Sequence, residues 1–538
     1  MHRAHGTRHT AQGSRHKAQN GASSPWALGL EPCALCLFLL VALWGCATPE
    51  PVAPGVIVVG VRQSPNNLDP RFATDEASQR VDQLVFNSLM DFGEDLRVRP
   101  TLAERLDNPD PLTYIAVLRH GVKFHDGHEL TAADIVYNYQ GYIDPQSRSP
   151  YKGAFRMLQS VRALDDYTVE FKLKAPFAAF PIQLVSPPIV PAGAGADFNK
   201  TPIGTGPYRF VRYDVDDKVV LAPFRDYFEG APKNAGVLIR VIPDDTMRGL
   251  EIRKRAVDVV VNDMPPDIVY QLKQDGEVTL AEAPGLDYMY VSCNTQDPVL
   301  KDRRVRQALA YAIDRGAIVK YLRRGLAREA TGLMPSQAWA FEPAITRYGY
   351  DPARARQLLD EAGYRDPDGS GPRPRLRLTM KLGTAEEFRQ QAAVIQQNLR
   401  DVGVDLDVQS LEFATMFADV ISGNFQLVQM QWTGGAVGDP DIIRRVFHSQ
   451  QTPENGGFNR GRYNNPEVDR LLDLATMATN EEERKRYYGE AQKLIADDSP
   501  YISLWNRTNV AIGQRGLSGL HLNVTGNFES LRDVTKGS

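Results

Sequence analysis

The pattern of apolar residues between positions 376 and 432 is the feature that most restricts the fold of this chain. The segments LRLTMKL and VDLDV alternate apolar and polar residues, which is typical of β-strands. Between them, Glu386 to Asp401 carries one apolar helical face, formed by Phe388, Ala392, Ile395 and Leu399. The apolar run FQLVQMQW ends at Trp432 after a further short helical stretch. This succession predicts a mostly parallel sheet covered by helices, so the fold class is α/β.

The length of the chain predicts at least two domains, because 538 residues exceed the roughly 250 to 300 that one hydrophobic core supports. The run GVIVVGV at Gly55 predicts a buried first strand. From Leu96 to about Pro202, strand-like pieces such as TYIAVLR and TVEFKLK surround one helix at Ala132 to Tyr142, which indicates an α+β insertion beside the main sheet. A long helix is predicted from Asp302 to Leu322.

The first 45 residues have the three parts of a secretion signal. A basic leader precedes an apolar run from Cys33 to Gly45, which is too short to span a bilayer. The cut site Leu-Trp-Gly-Cys resembles a bacterial lipobox, so we expect lipidation of Cys46, although cleavage that leaves Cys46 unmodified is the alternative. Residues 46–55 are rich in proline and are predicted to be a tether.

Several function classes are disfavoured by what the sequence contains. The formal charge is −4, and no basic run interleaved with aromatic residues indicates a nucleic-acid partner. The run His125 to Glu129 offers potential metal ligands, but a glycine-centred turn before a helix capped by Thr131 explains it better. The bend at Gly204 to Tyr208 is interpreted as architecture, and Cys293 as a buried thiol. We therefore expect no metal, no cofactor and no catalytic residue.

Separate segments of the chain resemble the extracytoplasmic solute-binding proteins, family 5, of dipeptide, oligopeptide and nickel importers. The resemblance lies in RPTLAERL, LRHGVKFHDGHELTAADIVY, GTGPYRF, VRQALAYAIDR, YDPARARQLLDEAGY and RYNNPEVDRLL, in this order. It implies a type II-like periplasmic-binding-protein fold. Lobe I would take residues 56–285, with the insertion at about 96–202. Lobe II would take residues 286–505, and residues 506–538 would return to lobe I.

The resemblance also implies a function. The protein would be a monomeric lipoprotein, held in the periplasm or at the outer face of the cell membrane by its lipid anchor. It would capture a small solute, peptide or peptide-like, and deliver it to the permease subunits of an ABC importer whose ATPase is a separate chain. The alternatives are a non-peptide solute, such as a metal chelate, a glycoside or a modified amino acid, and a secreted hydrolase.

The candidate ligand site centres on Trp432, Thr433 and Gly434. A tryptophan at the carboxyl end of a parallel strand points toward the crevice where ligands of α/β sheets bind. In peptide-binding relatives an acidic residue after this tryptophan pairs with the peptide amino group, but here Gly435 takes that position. Asp439, four residues later, is a further candidate: it takes the place of the acidic residue if the loop folds back, and otherwise it turns the chain and caps the next helix. The resemblance adds other candidates for the cleft, which are Phe72, Asp75, Ser78, Tyr288, Tyr290, Asn294 and Trp339.

Overall fold

The computed structural model describes residues 52–369, 371–434, 439–478 and 480–537. Residues from Ala53 onward form one compact unit. The predicted signal peptide and Cys46 lie outside the described residues, as does Gly435. Within the described ranges, no helix is long and apolar enough to cross a membrane.

Strands and helices alternate along much of the chain. The strands are β1 Val56–Val61, β2 Met90–Phe92, β3 Val98–Pro100, β4 Ala103–Asp110, β5 Thr113–Leu118, β6 Leu158–Asp165, β7 Thr168–Leu173, β8 Tyr208–Asp214, β9 Lys218–Pro223, β10 Gly236–Val241, β11 Val259–Val261, β12 Val278–Cys293, β13 Ala327–Glu329, β14 Leu376–Leu382, β15 Val404–Ser410, β16 Leu427–Trp432, β17 Tyr501–Gln514, β18 Leu517–Ser518 and β19 Thr535–Lys536. The α-helices are α1 Glu76–Val85, α2 Ala132–Ile143, α3 Phe180–Gln183, α4 Asp245–Arg253, α5 Pro266–Asp275, α6 Arg303–Ala312, α7 Arg315–Ala317, α8 Pro352–Glu361, α9 Glu386–Arg400, α10 Phe413–Ser422, α11 Asp441–Phe447, α12 Pro466–Met477 and α13 Glu481–Asp498.

One 11-stranded sheet runs through the molecule in the order β15-β14-β16-β12-β17-β11-β1-β10-β9-β8, with β13 paired to β17. The predicted unit β14-α9-β15 is confirmed, and β14 is parallel to both β15 and β16. The prediction of a mostly parallel sheet is wrong, because the long strands β12 and β17 pair antiparallel with each other and with their other main-sheet neighbours. The α/β class itself is correct.

Strands β12 and β17 join the two parts of the sheet. Their pairing runs from Val278 with Gln514 to Ser292 with Tyr501, and its register shifts between Pro284 and Tyr288. On one side of the shift β17 also pairs with β11, and on the other side β12 pairs with β16. A Cβ at Gly285 would lie 2.8 Å from the carbonyl oxygen of Arg507, so the strands approach too closely there for a larger residue. The shift falls at the predicted lobe boundary, and the boundary itself stays a prediction.

Helices cover both faces of the sheet beyond the register shift. Helices α6, α8 and α9 pack against one face, in a core that includes Met289 and Val291. Helices α10 to α13 pack against the other face, in a core that includes Tyr288 and Tyr290. Alternate residues of β12 therefore enter opposite cores, as strand geometry requires.

The predicted long helix from Asp302 to Leu322 is wrong. Helix α6 ends at Ala312, and Ile313 has extended backbone angles. Asp314 then begins a new helical segment, because its carboxylate accepts a hydrogen bond of 2.8 Å from the amide of Ala317. An aspartate inside an apolar helical pattern thus acted as a helix cap.

The α+β insertion is confirmed as a four-stranded sheet, β4-β5-β7-β6, packed against α2. His125, one of the potential metal-ligating residues, connects this insertion to the glycine-rich bend through two hydrogen bonds. Its Nδ1 accepts from the amide of Gly204 at 3.2 Å, and its Nε2 lies 3.0 Å from the carbonyl oxygen of Gly206. Burial lowers the pKa of His125 to about 4, so the imidazole is neutral near pH 7.

The bend at Gly204 to Tyr208 packs against the end of α1. The amide of Gly206 donates to the carbonyl oxygen of Val85 at 2.9 Å. A Cβ on Gly206 would lie 2.5 Å from the carbonyl carbon of Val85, closer than atoms can pack. The two backbones can meet only at glycine, which confirms that the bend has a structural role.

Candidate ligand-binding site

A row of stacked tyrosines lies on the face of β12 and β17 that α10 to α13 cover. The rings of Tyr288 and Tyr290 stack with centroids 5.3 Å apart, and Tyr290 stacks on Tyr501 at 4.2 Å. The hydroxyl of Tyr288 shares a hydrogen bond of 2.7 Å with Ser503. The sequence predicted Tyr288 and Tyr290 as site residues, and the structure brings them together.

Four buried polar atoms converge beside this row. They are the hydroxyls of Tyr290, Ser292 and Tyr501 and the indole Nε1 of Trp432, and none of them makes a hydrogen bond of standard geometry. Burial raises the pKa of Tyr501, although the positive charge of Arg460 and the polar groups of Tyr290, Trp432 and Ser292 lower it. The four groups therefore lie within reach of one another, and their imperfect hydrogen bonds leave donors and acceptors that a polar solute can use.

Trp432 forms one wall of this cluster, at the end of β16 and opposite Tyr288 in the strand register. Its ring lies 5.4 Å from that of Phe458, and the Arg460 guanidinium lies 4.9 Å from its centre. Arg460 also lies 5.1 Å from the ring of Phe417 in α10. The Trp432 ring therefore contacts both an aromatic side chain and a guanidinium group.

Asp287 holds the chain that follows Trp432. Its carboxylate accepts from the Gln431 side chain at 3.0 Å and from the amide of Gly434 at 2.9 Å, and it lies 3.2 Å from the guanidinium of Arg507. The amide of Gly434, a candidate site residue, therefore already donates to a side chain of this protein. Thr433, which lies between Trp432 and Gly434, is exposed.

Asp439 and Trp339 meet at a second arginine. Burial raises the pKa of Asp439 to about 6, although the charge of Arg484 lowers it. The carboxylate of Asp439 also accepts from the amide of Asp441 at 2.8 Å, as expected for a residue that turns the chain into α11. The guanidinium of Arg484 lies 5.3 Å from the Trp339 ring. Asp439 thus caps the start of α11 and lies close enough to Arg484 to feel its charge.

The α+β insertion faces this part of the molecule. Arg156, which precedes β6, is close enough to Asp441 to act on its pKa, which burial raises and Arg444, Arg445, Arg484 and Arg156 lower. Arg97, at the end of the β2–β3 turn, pairs with Glu481 of α13 at 2.7 Å. Leu96 of the same turn is buried in the core around Tyr288. The tryptophan and tyrosine cluster therefore lies in a part of the molecule where the two predicted lobes meet.

A cavity of about 340 Å³ adjoins Tyr501. It is bounded by β17, the segment from Glu329 to Gly349, α11 and α13, and its wall includes Tyr288, Met334, Ile345, Phe447, Ile495 and Ser503. Tyr288 and Tyr501 belong both to this wall and to the stacked row. A solute bound against the row thus has apolar space beside it.

The structure places the other predicted residues in different surroundings. Asp75 caps α1 by accepting from the amide of Ser78 at 2.9 Å, and the Ser78 hydroxyl donates to the same carboxylate. Phe72 is exposed beside Arg71. The side-chain amide of Asn294 donates to the carbonyl oxygens of Gly423 and Phe425, at the end of β12 far from Trp432.

Sequence reasoning missed Ser292, Tyr501, Phe458 and Arg460. Ser292 could have been found, since it lies two residues after Tyr290 and so on the same face of β12. Tyr501 pairs with Ser292 across the strands, and only the register reveals this. The loop that carries Phe458 and Arg460 has no sequence signal that places it over Trp432.

Comparisons with known proteins identify the family of the chain and its fold. Residues 97–454 match the profile of the bacterial extracellular solute-binding proteins, family 5. The glutathione-binding protein GsiB of Pectobacterium atrosepticum is 31% identical over 86% of this chain and 91% of its own length. The oligopeptide-binding protein AppA of Bacillus subtilis, solved with a nonapeptide, is 27% identical with a TM-score of 0.72, over 91% of this chain and 100% of AppA. NikZ of Campylobacter jejuni, solved with Ni(L-His), is 25% identical with a TM-score of 0.73, over 90% of this chain and 100% of NikZ.

The fold and the site define a two-lobed substrate-binding protein of the kind that serves ABC importers. The chain belongs to the bacterial extracellular solute-binding proteins, family 5. The family and the fold class expected from the sequence are confirmed. Members of this family are transport binding proteins, not enzymes.

Proposed function

We propose that this protein captures a peptide-like solute against Trp432 and the tyrosine row, and hands it to the permease of an ABC importer without chemical change. The observation that carries the proposal is the set of unpaired polar atoms on Tyr290, Ser292, Trp432 and Tyr501. A peptide backbone supplies alternating donors and acceptors that satisfy such atoms, and its side chains suit the apolar cavity beside Tyr501. The relatives that bind glutathione and a nonapeptide support the same class of solute.

The recognition of the peptide amino group tests this proposal. Gly435 stands where peptide-binding relatives carry the acidic partner of the amine, Asp439 accepts from the amide of Asp441 at the start of α11, and an enclosed ammonium group needs a carboxylate partner. We therefore expect N-acetylated tripeptides to bind at least as tightly as the same tripeptides with a free amine, measured by titration calorimetry. A preference for free amines that disappears in Asp439→Asn would show that Asp439 binds the amine. Chromatography of the same mixtures should show no product, whereas turnover would favour the hydrolase alternative.

The second candidate solute is a small non-peptide molecule. NikZ, which has the same fold, is solved with Ni(L-His), so the fold accommodates a compact chelate as well as a peptide. Native mass spectrometry of the protein purified from its source separates the two candidates, because the mass of a retained solute identifies its class.

We propose that residues 56–285 with 506–538 form one lobe and residues 286–505 the other, and that the β2–β3 turn holds them together. Leu96 at the tip of this turn has a positive φ of 59°, which is uncommon for leucine, and its side chain is buried in the core of the opposite lobe. We expect Leu96→Asp to increase the radius of gyration of the ligand-free protein in small-angle scattering, because a carboxylate cannot stay in that core.

Leu112→Ala is the matched control, since Leu112 lies in a turn of the same insertion and is 38% exposed. Its radius of gyration should equal that of the wild type. An unchanged radius in Leu96→Asp, with the fold intact by circular dichroism, would show that the turn does not hold the lobes closed.

We propose that the mature protein is a monomeric lipoprotein anchored through Cys46. The apolar run that ends in Leu-Trp-Gly-Cys is the sequence feature that supports the anchor. Replacing Cys46 by serine is expected to move the protein from the membrane fraction to the soluble fraction of its native host, because the thiol that carries the lipid is lost. Equal amounts in the soluble fraction for both forms, with an unlipidated mass for the wild type, would contradict the anchor.

A further inference from the structure

The carboxylate of Asp287 joins three separate parts of the chain. It accepts from the side-chain amide of Gln431 in β16 at 3.0 Å and from the main-chain amide of Gly434 at 2.9 Å. It also pairs with the guanidinium of Arg507 in β17 at 3.2 Å. The Asp287 side chain is 14% exposed, so water screens these contacts only in part. A change at one of the three partners therefore affects the other two.

Asp287 and Arg507 both lie where the pairing of β12 with β17 is interrupted. Residues 285–287 of β12 fall inside the register shift, and Arg507 is the residue of β17 that lies opposite them. The carbonyl oxygen of Asp287 accepts from the side chain of Asn506 at 3.4 Å, which is a long hydrogen bond. An interrupted ladder bends more readily than a continuous one, so the proposed lobes can rotate against each other here. Arg507 belongs to the proposed first lobe and Asp287 to the second, and their ion pair therefore connects the two lobes.

The hydrogen bond between Asp287 and Gly434 lies next to Trp432. Gly434 follows Trp432 by two residues and has a φ of 49°, a left-handed conformation that favours glycine. A Cβ on Gly434 would meet no atom within 4 Å, so the space around it is open. The amide of Gly434 donates to Asp287, which holds the chain in this conformation. Asp287 therefore fixes the course of the chain that leaves the indole wall of the site.

We propose that Asp287 is a positioning residue that couples rotation of the lobes to the solute site. This inference rests on the proposed function, because it takes the chain beside Trp432 to be part of that site. Rotation at the register shift changes the distance between Asp287 and Arg507. A carboxylate that loses Arg507 is free to turn, and Gly434 moves with it. Solute bound against Trp432 favours the arrangement with all three contacts, and by linkage these contacts favour the binding of solute.

Titration calorimetry with N-acetyl-Ala-Ala-Ala measures this coupling. Arg507→Met removes the charge and the donors from β17 without changing a residue of the tyrosine row or Trp432. We expect it to weaken binding about 5- to 20-fold, in the lower part of the range for coupling between separate sites. Asp287→Asn keeps an oxygen that can accept from Gly434 but loses the charge that attracts Arg507, so we expect a similar loss. Asp287→Ala loses both contacts and should bind more weakly still.

A double variant shows whether the two residues act together. With Asp287→Asn and Arg507→Met combined, the affinity should equal that of either single variant, because the second change removes a partner that is already lost. Asp368→Asn is the matched control, since the Asp368 carboxylate is 16% exposed and lies 3.2 Å from the guanidinium of Arg373. Asp368 lies between α8 and β14, and α8 packs against the face of the sheet opposite the tyrosine row. Its affinity should equal that of the wild type.

Fluorescence separates positioning of the chain from a general loss of stability. The emission of Trp432 is the difference between proteins with and without Trp432→Phe, and it is measured in the absence of solute. Trp432 is 8% exposed in the structure. We expect acrylamide to quench it more strongly in Asp287→Ala than in the wild type, because the chain after it is no longer held. The other tryptophans should be quenched as in the wild type, which a partly unfolded variant would not show.

Failure of this inference is distinguishable from failure of the proposed function. Wild-type affinity in Arg507→Met, or losses that add in the double variant, would overturn the coupling and leave a solute-binding protein. Unchanged quenching of Trp432 in Asp287→Ala would show that Asp287 does not position the chain.

Thermal unfolding confirms that each variant is folded, and Asp287→Asn with Arg507→Met carries the test if Asp287→Ala does not fold. No binding of the peptide by the wild type would overturn the peptide-like solute. The quenching, which needs no solute, would then still decide whether Asp287 positions the chain beside Trp432.

Discussion

Replacing Trp432 by alanine is expected to weaken solute binding by about 1 to 3 kcal/mol, which is roughly 5- to 150-fold in the dissociation constant. The substitution removes the indole wall of the site and the unpaired Nε1 donor. It also removes one of the three rings that hold Arg460. The loss should therefore affect acetylated and free-amine peptides alike, as calorimetry with both can show.

Trp432→Phe separates the two roles of the indole. Phenylalanine keeps an apolar wall and a ring beside Arg460 but has no N–H. The affinity for solute should therefore fall less in Trp432→Phe than in Trp432→Ala. Trp432 is 8% exposed and packs in the core with Phe458, so thermal unfolding has to be measured for both variants. A lower melting temperature combined with unchanged affinity would show that Trp432 serves the core alone.

Gly206→Ala is expected to lower the free energy of unfolding by about 2 to 3 kcal/mol, the upper part of the range for overpacking a core. A methyl group there would lie 2.5 Å from the carbonyl carbon of Val85 and 2.7 Å from the carbonyl oxygen of Leu84, so the bend or the end of α1 has to move. These atoms are main-chain atoms, which cannot adapt by changing rotamer. Urea unfolding monitored by circular dichroism measures the change.

Gly153→Ala is the matched control for this substitution. Gly153 belongs to the same first part of the chain, and a Cβ there would meet no atom within 4 Å. We expect its free energy of unfolding to lie within about 0.5 kcal/mol of the wild type. Equal losses in the two variants would mean that the contact with Val85 does not set the cost.

The sequence predicted those parts of the fold that depend on local patterns. The period of apolar residues located β14, α9 and β15. Local pairs of the same kind stand at two other helix starts, where Asp351 and Asn465, each followed by proline, cap α8 and α12. The antiparallel course of β12 and β17 could not be predicted in the same way. It depends on pairing between residues more than 200 positions apart, which no local pattern records.

The candidate site was predicted to a smaller extent. Tyr288, Tyr290 and Trp432 converge because they lie on adjacent strands, and the resemblance to a known family had pointed to their segments. Asp75 and Asn294 are polar residues in suggestive positions that satisfy the backbone of this chain instead. Arg460 was missed because only the tertiary structure shows that a cation in a loop lies beside three aromatic rings.

The position of β17 in the middle of the large sheet affects how the chain reaches its native state. This strand, Tyr501–Gln514, is synthesised more than 200 residues after β12, yet it separates β12 from β11. Until it arrives, β12 has one long unpaired edge and the first part of the sheet ends at β11, which leaves neither part complete. Contacts of such long range form slowly, so the sheet of the newly made chain stays incomplete until β17 is available. A chain that ends before Tyr501 would expose both edges and would be expected to aggregate rather than form a smaller stable protein.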